Sequence, residues 1–328
     1  MKKLFALAAV ATATVGLLGT AAHAQNYPDG KPITIVVPFA AGGPTDRVAR
    51  DLAEALRKPL DGVSIVIDNA AGAGSTIGNA KVARAKPDGY TLLVTHVGMA
   101  TTPVLYRKLT YNYETDFEYL GMINDVPMTL IGKPQLEASN FKDLRAWIDK
   151  SGGKVNLGNA GIGSASHLCG LLFQSAIQTE LTTVPYKGAA PALTDILGGQ
   201  VNLLCDQTTN LAGHLKAGSV KPYAAMQARR VEAFKDVPTA QEQGMPGVEV
   251  KVWHAMYAPK GTPKPVIDKL SAALQKSVTD PVFRAKMAEL GAEAVPAQRA
   301  TPDSLRTYLS AEINKWTPVI KKAGVYAD

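Results

Sequence analysis

Short apolar runs alternate with amphipathic stretches along most of the chain. Residues 33–37 and 63–67 are rich in Val and Ile, which is typical of strands. Between them, Val48, Leu52 and Leu56 recur every four residues, a spacing that predicts a helix with one apolar face. Strands that alternate with helices predict an α/β fold in which a mostly parallel sheet is flanked by helices.

The same alternation resumes in the second half of the chain. The predicted elements there are strands 155–158, 182–185 and 201–205 and helices 165–178, 189–198 and 209–217. Two such series predict two α/β lobes.

Two extended segments are rich in branched or aromatic residues: 119–131 lies between the two series, and 248–257 follows the second one. We interpret them as crossover strands between the lobes. Residues 25–125 and 251–328 are therefore assigned to lobe 1, and residues 126–250 to lobe 2. The two crossings are expected to act as hinges that let the lobes close.

The first 24 residues have the pattern of a secretory signal peptide. Lys2 and Lys3 precede the apolar segment Leu4–Leu18, and the A-x-A cleavage pattern Ala22–Ala24 follows. The apolar segment is shorter than the ~20 residues that a transmembrane helix needs. We expect export to the periplasm and a mature protein of 304 residues (328 minus 24) that is not inserted in the membrane.

The mature chain carries a moderate positive charge. Removing Lys2 and Lys3 lowers the formal net charge from +7 to +5, which is spread without long basic runs or interleaved aromatic residues. Nucleic-acid binding is therefore not expected. The charge suits an anionic small ligand or an anionic membrane surface, but it is equally explained by a role in keeping the protein soluble.

A glycine-rich turn, Asp68–Gly78, links a predicted strand to a predicted helix. The dinucleotide fingerprint G-x-G-x-x-G requires the first strand–helix turn and an acidic residue about twenty positions later. Here the spacing from Gly72 is G-x-G-x-x-x-G, and the next strand ends in His96. No nucleotide or other cofactor is predicted.

Three turns, at 38–46, 68–76 and 159–167, combine small residues with Ser or Thr immediately before a predicted helix. The first amides of a helix have no partners within it, and the helix dipole adds partial positive charge there. Three such turns facing one crevice are expected to hold a carboxylate without Arg or Lys, although each turn alone is compatible with ordinary capping. The hydroxyl donors expected there are Thr45, Ser75, Ser164 and Ser166.

Other candidate ligand-binding residues lie beside these turns. His96 ends a strand and is the histidine expected to meet a ligand, whereas Asp46 is expected to cap a helix. Asp206 either orients a ligand amine or orders a loop, and Phe39 either walls the pocket or joins the core. Tyr186 marks another strand-to-helix turn on the same edge of the sheet.

A secreted serine hydrolase is the main enzymatic alternative, because Ser164, Ser166 and His167 are neighbours in sequence. The turn departs from the G-x-S-x-G nucleophile elbow, however, and adjacent residues on one helix cannot set a serine against an imidazole in the required geometry. The histidines are not spaced as metal ligands, so no metal site is predicted.

The chain contains two cysteines, Cys169 and Cys205. Oxidising conditions after export permit a disulfide between them. Two buried thiols or a catalytic cysteine are the alternatives, although a catalytic cysteine lacks a nearby sequence signature here.

Six stretches of the chain carry a family resemblance: VVPFAAGGPTD (36–46), NAAGAGSTIG (69–78), GSASHL (163–168), VPYKG (184–188), DVPTAQEQGMPG (236–247) and YAPKGTP (257–263). They span almost the whole mature chain. They resemble the substrate-binding receptors of tripartite tricarboxylate transporters, also called the Bug family. Ala70 and Ala71 stand where many members carry a basic residue and a proline.

This resemblance implies a type II periplasmic-binding-protein fold whose lobes close on a small carboxylate, an organic acid or an amino acid. Such receptors are not enzymes, and they deliver the ligand to a membrane permease with one large and one small subunit. A receptor that serves a sensor kinase is the alternative role, and a monomer is expected. The stretch Cys205–Asn210 resembles a subset of the family, which supports the disulfide between Cys169 and Cys205.

The expected ligand-binding residues combine the family turns with the candidates above. They are Phe39, Ala40, Gly43, Thr45, Asp46, Ala73, Gly74, Ser75, His96, Ser164, Ala165, Ser166, His167, Tyr186 and Asp206.

Overall fold

A computed structural model describes residues 27–151, 154–324 and 326–327, and the predicted signal peptide lies outside them. The strands are β1 (Ile33–Val37), β2 (Ile65–Asn69), β3 (Thr91–Thr95), β4 (Phe117–Gly132), β5 (Asn156–Asn159), β6 (Thr182–Pro185), β7 (Leu203–Gln207), β8 (Lys221–Ala225), β9 (Lys251–Pro259) and β10 (Glu293–Ala294). The helices are α1 (Pro44–Arg57), α2 (Thr76–Ala83), α3 (Gly98–Leu105), α4 (Phe141–Lys150), α5 (Ala165–Ile177), α6 (Ala189–Leu197), α7 (Thr208–Ala217), α8 (Lys264–Thr279), α9 (Pro281–Glu289) and α10 (Pro302–Ala323).

The strands pair in the order β2-β1-β3-β9-β4-β7-β5-β6, while β8 and β10 also pair with β4. β1 is parallel to β2 and β3, and β5 is parallel to β6 and β7. Two parallel blocks are thus joined by β4 and β9, which are antiparallel to each other. The structure therefore has the two α/β lobes that the sequence predicts.

β4 serves both lobes along its length. Its first part, Phe117–Pro127, pairs with β9, and its last part, Met128–Gly132, pairs with β7. The register with β9 shifts twice, between Tyr119 and Gly121 and again between Met122 and Asn124. Such irregularities bend a strand and increase its local twist.

An ion cluster joins the two long strands β4 and β9. Asp125 on β4 accepts from Lys251 of β9 (3.0 Å) and from Arg299 (2.5 Å). The predicted lobe boundaries at 125/126 and 250/251 fall at this cluster.

Most predicted elements match the observed ones closely. The predicted helices 165–178, 189–198 and 209–217 appear as α5, α6 and α7, each end displaced by at most one residue. Two strands, β2 and β7, begin two residues later than predicted. Asp206 consequently lies inside β7, and the prediction that it follows the strand is wrong. Asn202 occupies the connection instead, where its side-chain oxygen accepts from the amide of Asn156 (2.9 Å).

The apolar faces that the sequence predicts do form the core. Val48, Leu52 and Leu56 of α1 are fully buried. The last helix, α10, packs on β4 and α3 and continues through Pro318 to its end. Within the ranges that the structure describes, no helix combines the length and apolarity needed to cross a bilayer.

Candidate functional site

A narrow cavity of about 10 Å³, room for roughly one water molecule in this closed form, lies between the two parallel blocks. Its lining residues are Phe39, Pro44, Thr45, His96, Met128, Ala160, Ser164, Ala165, Ser166, Ala189, Asp206 and Gln207. Neither lysine nor arginine is among these residues.

The first turn of α1 forms one wall of the cavity. Gly43 is the N-cap, and Arg47 is the first residue whose amide bonds back to it (3.0 Å to the Gly43 oxygen). Pro44 has no N–H, so the amides of Thr45 and Asp46 precede the first helical hydrogen bond. These amides are the donors that α1 offers at its start.

Asp46 orders this turn from inside the helix. Its carboxylate accepts from the amide of Gly42 (2.9 Å), from Arg50 Nε (2.9 Å) and from Asn69 Nδ2 (3.0 Å). Burial opposes the charge, but these hydrogen bonds hold the pKa of Asp46 below its usual value. Asp46 is therefore a charged structural group, and the cap position itself belongs to Gly43.

The first turn of α5 forms the opposite wall. Ser164 is its N-cap, and the Ser164 hydroxyl oxygen accepts from the amide of His167 (3.2 Å). The amides of Ala165 and Ser166 precede the first helical bond, which runs from Leu168 to Ser164 (3.0 Å). Both of these residues line the cavity.

Two further helices begin at the same cavity. α6 starts at Ala189 after the N-cap Gly188, and α7 starts after its N-cap Gln207. Ala189 and Gln207 line the cavity, so the first turns or caps of four helices meet there. The sequence predicted convergence of helix starts, but two of these four were not among the three turns it singled out.

The glycine-rich turn of Ala73–Ser75 is placed elsewhere. Ala73 and Gly74 line a larger, open pocket together with Tyr186, and Ser75 is buried, where it accepts from Asn79 (3.3 Å). A Cβ at Gly74 would lie 1.8 Å from the carbonyl oxygen of Ile162. This turn therefore brings the two lobes into contact instead of lining the inner cavity.

Hydrogen bonds across the cleft hold the lobes together. They include Ala40 N to Lys187 O (3.2 Å), Tyr106 Oη to Ile162 O (3.1 Å) and Thr101 Oγ1 to Gly163 O (2.7 Å). Gly188 lies against the same contact, because a Cβ there would be 2.8 Å from the Ala40 amide nitrogen. The structure is thus that of a closed cleft.

His96 and Phe39 form an aromatic wall. Their rings stack with centroids 4.5 Å apart and an interplanar angle of 21°. The amide of Gly98 donates to His96 Nδ1 (3.1 Å), so the proton of the neutral ring resides on Nε2. Burial lowers the pKa of His96 to about 3, which makes it an uncharged N–H donor.

His254 is a buried site residue that the sequence did not identify. Its Nε2 lies 3.2 Å from Thr45 Oγ1, and its Nδ1 lies 2.8 Å from Asn124 Oδ1. Asn124 and His254 are paired across β4 and β9. A cavity residue is therefore joined by hydrogen bonds to both crossover strands.

Asp206 is a buried carboxyl group without a cationic partner among the cavity residues. It accepts from the amide of Gln207 (2.8 Å) and from Asn210 Nδ2 (2.5 Å). Burial raises the pKa of Asp206 to about 7, although both hydrogen bonds act in the opposite direction. The group consequently titrates near neutral pH.

Cys169 and Cys205 form a disulfide with a Cα–Cα distance of 6.1 Å. It connects α5 to β7, and these two elements supply adjacent walls of the cavity. The Ser166 hydroxyl reinforces the connection by donating to the carbonyl oxygen of Cys205 (2.6 Å).

The serines and the histidine considered for hydrolysis do not form a nucleophile–base pair. Ser166 donates to a carbonyl oxygen, and Ser164 accepts from a backbone amide. The Nδ1 atom of His167 accepts from the amide of Gly163 (3.3 Å), and burial lowers the pKa of His167 to about 4. Each of these side chains is engaged with backbone groups of its own turn or of β7.

Of the predicted ligand-binding residues, one group lines the cavity: Phe39, Thr45, His96, Ser164, Ala165, Ser166 and Asp206. A second group lies outside its lining: Ala40, Gly43, Asp46, Ala73, Gly74, Ser75, His167 and Tyr186. The lining residues that the sequence reasoning missed are Pro44, Met128, Ala160, Ala189 and Gln207. Ala189 follows Gly188 at the strand-to-helix turn that Tyr186 marks, so a local sequence signal for this lining residue does exist.

Comparison with protein families identifies the architecture. The sequence profile described as "Tripartite tricarboxylate transporter family receptor" matches residues 48–325. The chain belongs to this receptor family. The match begins within α1 and ends just beyond α10, so it includes the cavity lining except Phe39, Pro44 and Thr45.

Three solved structures show what this receptor resembles. The periplasmic binding protein BugD has a TM-score of 0.88 and 48% identity, over 90% of this chain and 99% of BugD. MatC from Rhodopseudomonas palustris, with bound malate, has a TM-score of 0.83 and 37% identity, over 88% and 98% of the two chains. Another R. palustris protein, solved with adipate, has a TM-score of 0.86 and 33% identity, over 92% and 99%.

Proposed function

We propose that this receptor works in the periplasm, captures a small carboxylate between its lobes and delivers it to the permease of a tripartite tricarboxylate transporter. The observation that carries the ligand class is the convergence of four helix starts on one cavity whose described lining residues include no lysine or arginine. Free amides and helix dipoles at such starts favour an anion.

The solved relatives support a small organic acid. Malate and adipate, which are bound to two of them, are both dicarboxylates. An acidic amino acid carries the same carboxylates and belongs to the proposed class.

Capture requires that the lobes separate and close again. We assign residues 25–125 and 251–328 to one lobe and 126–250 to the other, with β4 and β9 as the hinge. The irregular register of these strands provides a place where they bend. The hydrogen bonds across the cleft then favour the closed form once the ligand is inside.

A ligand screen tests the proposed class directly. The chain without residues 1–24 is heated with di- and tricarboxylates, acidic amino acids and aromatic acids, and the melting temperature is recorded. At least one acid is expected to raise it, whereas the amide of the same acid, which lacks the charge, is expected to have little effect. Hydrolysis of an ester with no response to any acid would instead favour the hydrolase.

A proline substitution tests the role of the helix-start amides. Ala165 is the first residue of α5, where proline is tolerated, and the preceding Ser164 has φ −68° and ψ 161°, which suits a residue before proline. Ala165→Pro removes one N–H from the cavity without changing any charge. Loss of a hydrogen bond to a charged group costs about 1.5–3 kcal/mol, so affinity is expected to fall roughly 10- to 150-fold.

The control is Lys264→Pro at the first position of α8, which removes an N–H and an exposed Lys264–Asp268 ion pair on a helix whose residues do not line the cavity. It should leave ligand affinity unchanged in isothermal titration calorimetry. Wild-type affinity in Ala165→Pro would show that the α5 amide does not hold the acid.

The partner and the compartment require cellular tests. Deleting the gene should abolish uptake of the labelled acid identified by the screen, and deleting the permease genes should have the same effect. Intact uptake combined with loss of a transcriptional response would favour a sensor kinase as the partner. N-terminal sequencing of the periplasmic protein should begin near Gln25.

A further inference from the structure

The hydroxyl of Thr45 is committed as a donor by a chain of hydrogen bonds that starts on the hinge. Asn124 Nδ2 lies 3.3 Å from the Met287 sulfur, and because a thioether only accepts, the amide nitrogen faces it. Asn124 Oδ1 therefore faces His254 Nδ1 (2.8 Å), which must carry the ring proton. In the neutral ring, Nε2 accepts, so Thr45 Oγ1 donates to it (3.2 Å).

The neutral state of His254 follows from its surroundings. Burial, together with repulsion from His96, holds the pKa of His254 well below its usual value. Because the hydroxyl proton of Thr45 is used by this ring, Thr45 has only lone pairs left for the cavity.

The hydroxyl of Ser166 can likewise only accept a hydrogen bond from a ligand. Its hydroxyl donates to the carbonyl oxygen of Cys205 at 2.6 Å, so only its lone pairs remain for a ligand. Ser164 provides the contrast, because its oxygen accepts from the amide of His167 and its own proton is still available. The sequence-based expectation that Thr45 and Ser166 donate to the ligand is therefore replaced by the opposite polarity.

Two neighbours on β7 add further acceptors. Gln207 lines the cavity and is 4% exposed, and its Oε1 atom has no hydrogen-bond partner within the part of the chain that the structure describes. Asp206 already receives two hydrogen bonds and has further lone pairs. A buried acceptor without a donor is unfavourable, so the Gln207 Oε1 atom requires one from the ligand.

We propose that the ligand carries a hydrogen-bond donor, a hydroxyl or an ammonium group, in addition to its carboxylate, and that Thr45, Ser166 and Gln207 select it. This inference rests on the proposed carboxylate receptor and specifies the class of acid. Carboxylate oxygens only accept, so they pair with the amides at the helix starts. An unsubstituted acid leaves the acceptor side chains unpaired, whereas a hydroxy acid or an amino acid satisfies both sets.

Matched acids of equal chain length test the proposal. Binding of succinate, malate and aspartate, and of glutarate, 2-hydroxyglutarate and glutamate, is measured by isothermal titration calorimetry. The substituted acid is expected to bind about tenfold more tightly than the unsubstituted acid of the same length, as one or two neutral hydrogen bonds provide. Comparison of the hydroxyl and ammonium members shows which donor the site takes.

Variants locate the selectivity. Thr45→Val keeps the shape and removes the acceptor, and it should reduce the ratio of the affinities for the substituted and the unsubstituted acid about fivefold, whatever its effect on the unsubstituted acid alone. Thr45→Ser keeps the hydroxyl and serves as the control. If Thr45→Val does not fold, Ser166→Ala and Gln207→Leu make the same comparison.

The outcomes separate this inference from the receptor proposal. An unsubstituted acid that binds as tightly as its substituted partner overturns the inference but leaves the receptor in place. The inference is also overturned if Thr45→Val weakens binding of substituted and unsubstituted acids equally, because an equal loss reflects a change in cavity shape alone. If none of the acids in a broad screen binds, the receptor proposal fails and the inference fails with it.

Discussion

Replacing Gly74 by alanine should prevent the cleft from closing. Gly74 has φ 59° and faces the other lobe, and an added Cβ would lie 1.8 Å from the carbonyl oxygen of Ile162. Because the obstructing atom belongs to the backbone, no side-chain rotation relieves the clash. The turn and its partner must separate, which is a movement away from the closed form.

The expected effect follows from the bonds that closure makes. The three hydrogen bonds described above across the cleft, at about 1 kcal/mol each, stabilise the closed form by roughly 3 kcal/mol. A ligand that binds only the closed form should then lose roughly 100-fold in affinity. Alanine at positive φ adds about 1–2 kcal/mol of backbone strain, which lowers the stability of the lobe itself.

Gly62→Ala separates these two effects. Gly62 has φ 77° with nothing within 4 Å of a built Cβ, and it precedes β2 at the end opposite the cleft. Both variants should unfold at similarly reduced denaturant concentrations, but only Gly74→Ala should lose affinity in calorimetry and show a larger radius of gyration with ligand in solution scattering. Wild-type affinity in Gly74→Ala would refute the idea that this contact limits closure.

Three further predictions concern stability. Burial raises the pKa of Asp206 to about 7, so the folded state retains a proton that the unfolded state releases, and the free energy of unfolding should fall as pH rises from about 4 to 7. In urea unfolding, Asp206→Asn should remove this pH dependence. An unchanged pH dependence would contradict the raised pKa. The disulfide joins residues that are 36 apart in sequence and so restricts the unfolded chain. The double variant Cys169→Ser with Cys205→Ser should therefore lose about 4 kcal/mol of unfolding free energy. An unchanged denaturation midpoint would argue against an intact disulfide. Glu312 accepts hydrogen bonds from the indole nitrogens of Trp253 and Trp316 (both 3.0 Å). Glu312→Leu should therefore lower the unfolding free energy by about 2–4 kcal/mol in thermal unfolding, and Glu312→Gln should lower it clearly less. Equal losses of stability would show that packing matters more than these hydrogen bonds.

Local signals in the sequence predict the elements and two of the cavity walls well. Glycine, proline and serine at the positions where a helix begins indicate the turns before α1 and α5. Ala165 and Ser166 could be assigned to the site because the first amides of any helix lack internal partners. These properties depend on a few consecutive residues.

The remaining features depend on pairing between distant strands. The turn at Ala73–Ser75 has the same local signal as the other two, but β2 is the edge strand, so its turn opens at the rim of the cleft. His254 enters the site because it pairs with Asn124 across β4 and β9, next to a register shift. No local pattern specifies the order of strands or such a shift, so the positions of these residues could not be predicted.

The absence of lysine and arginine from the described cavity lining has an electrical consequence. A bound acid has no opposite formal charge among these lining residues, so only peptide dipoles and neutral hydrogen-bond donors balance its charge inside the cavity.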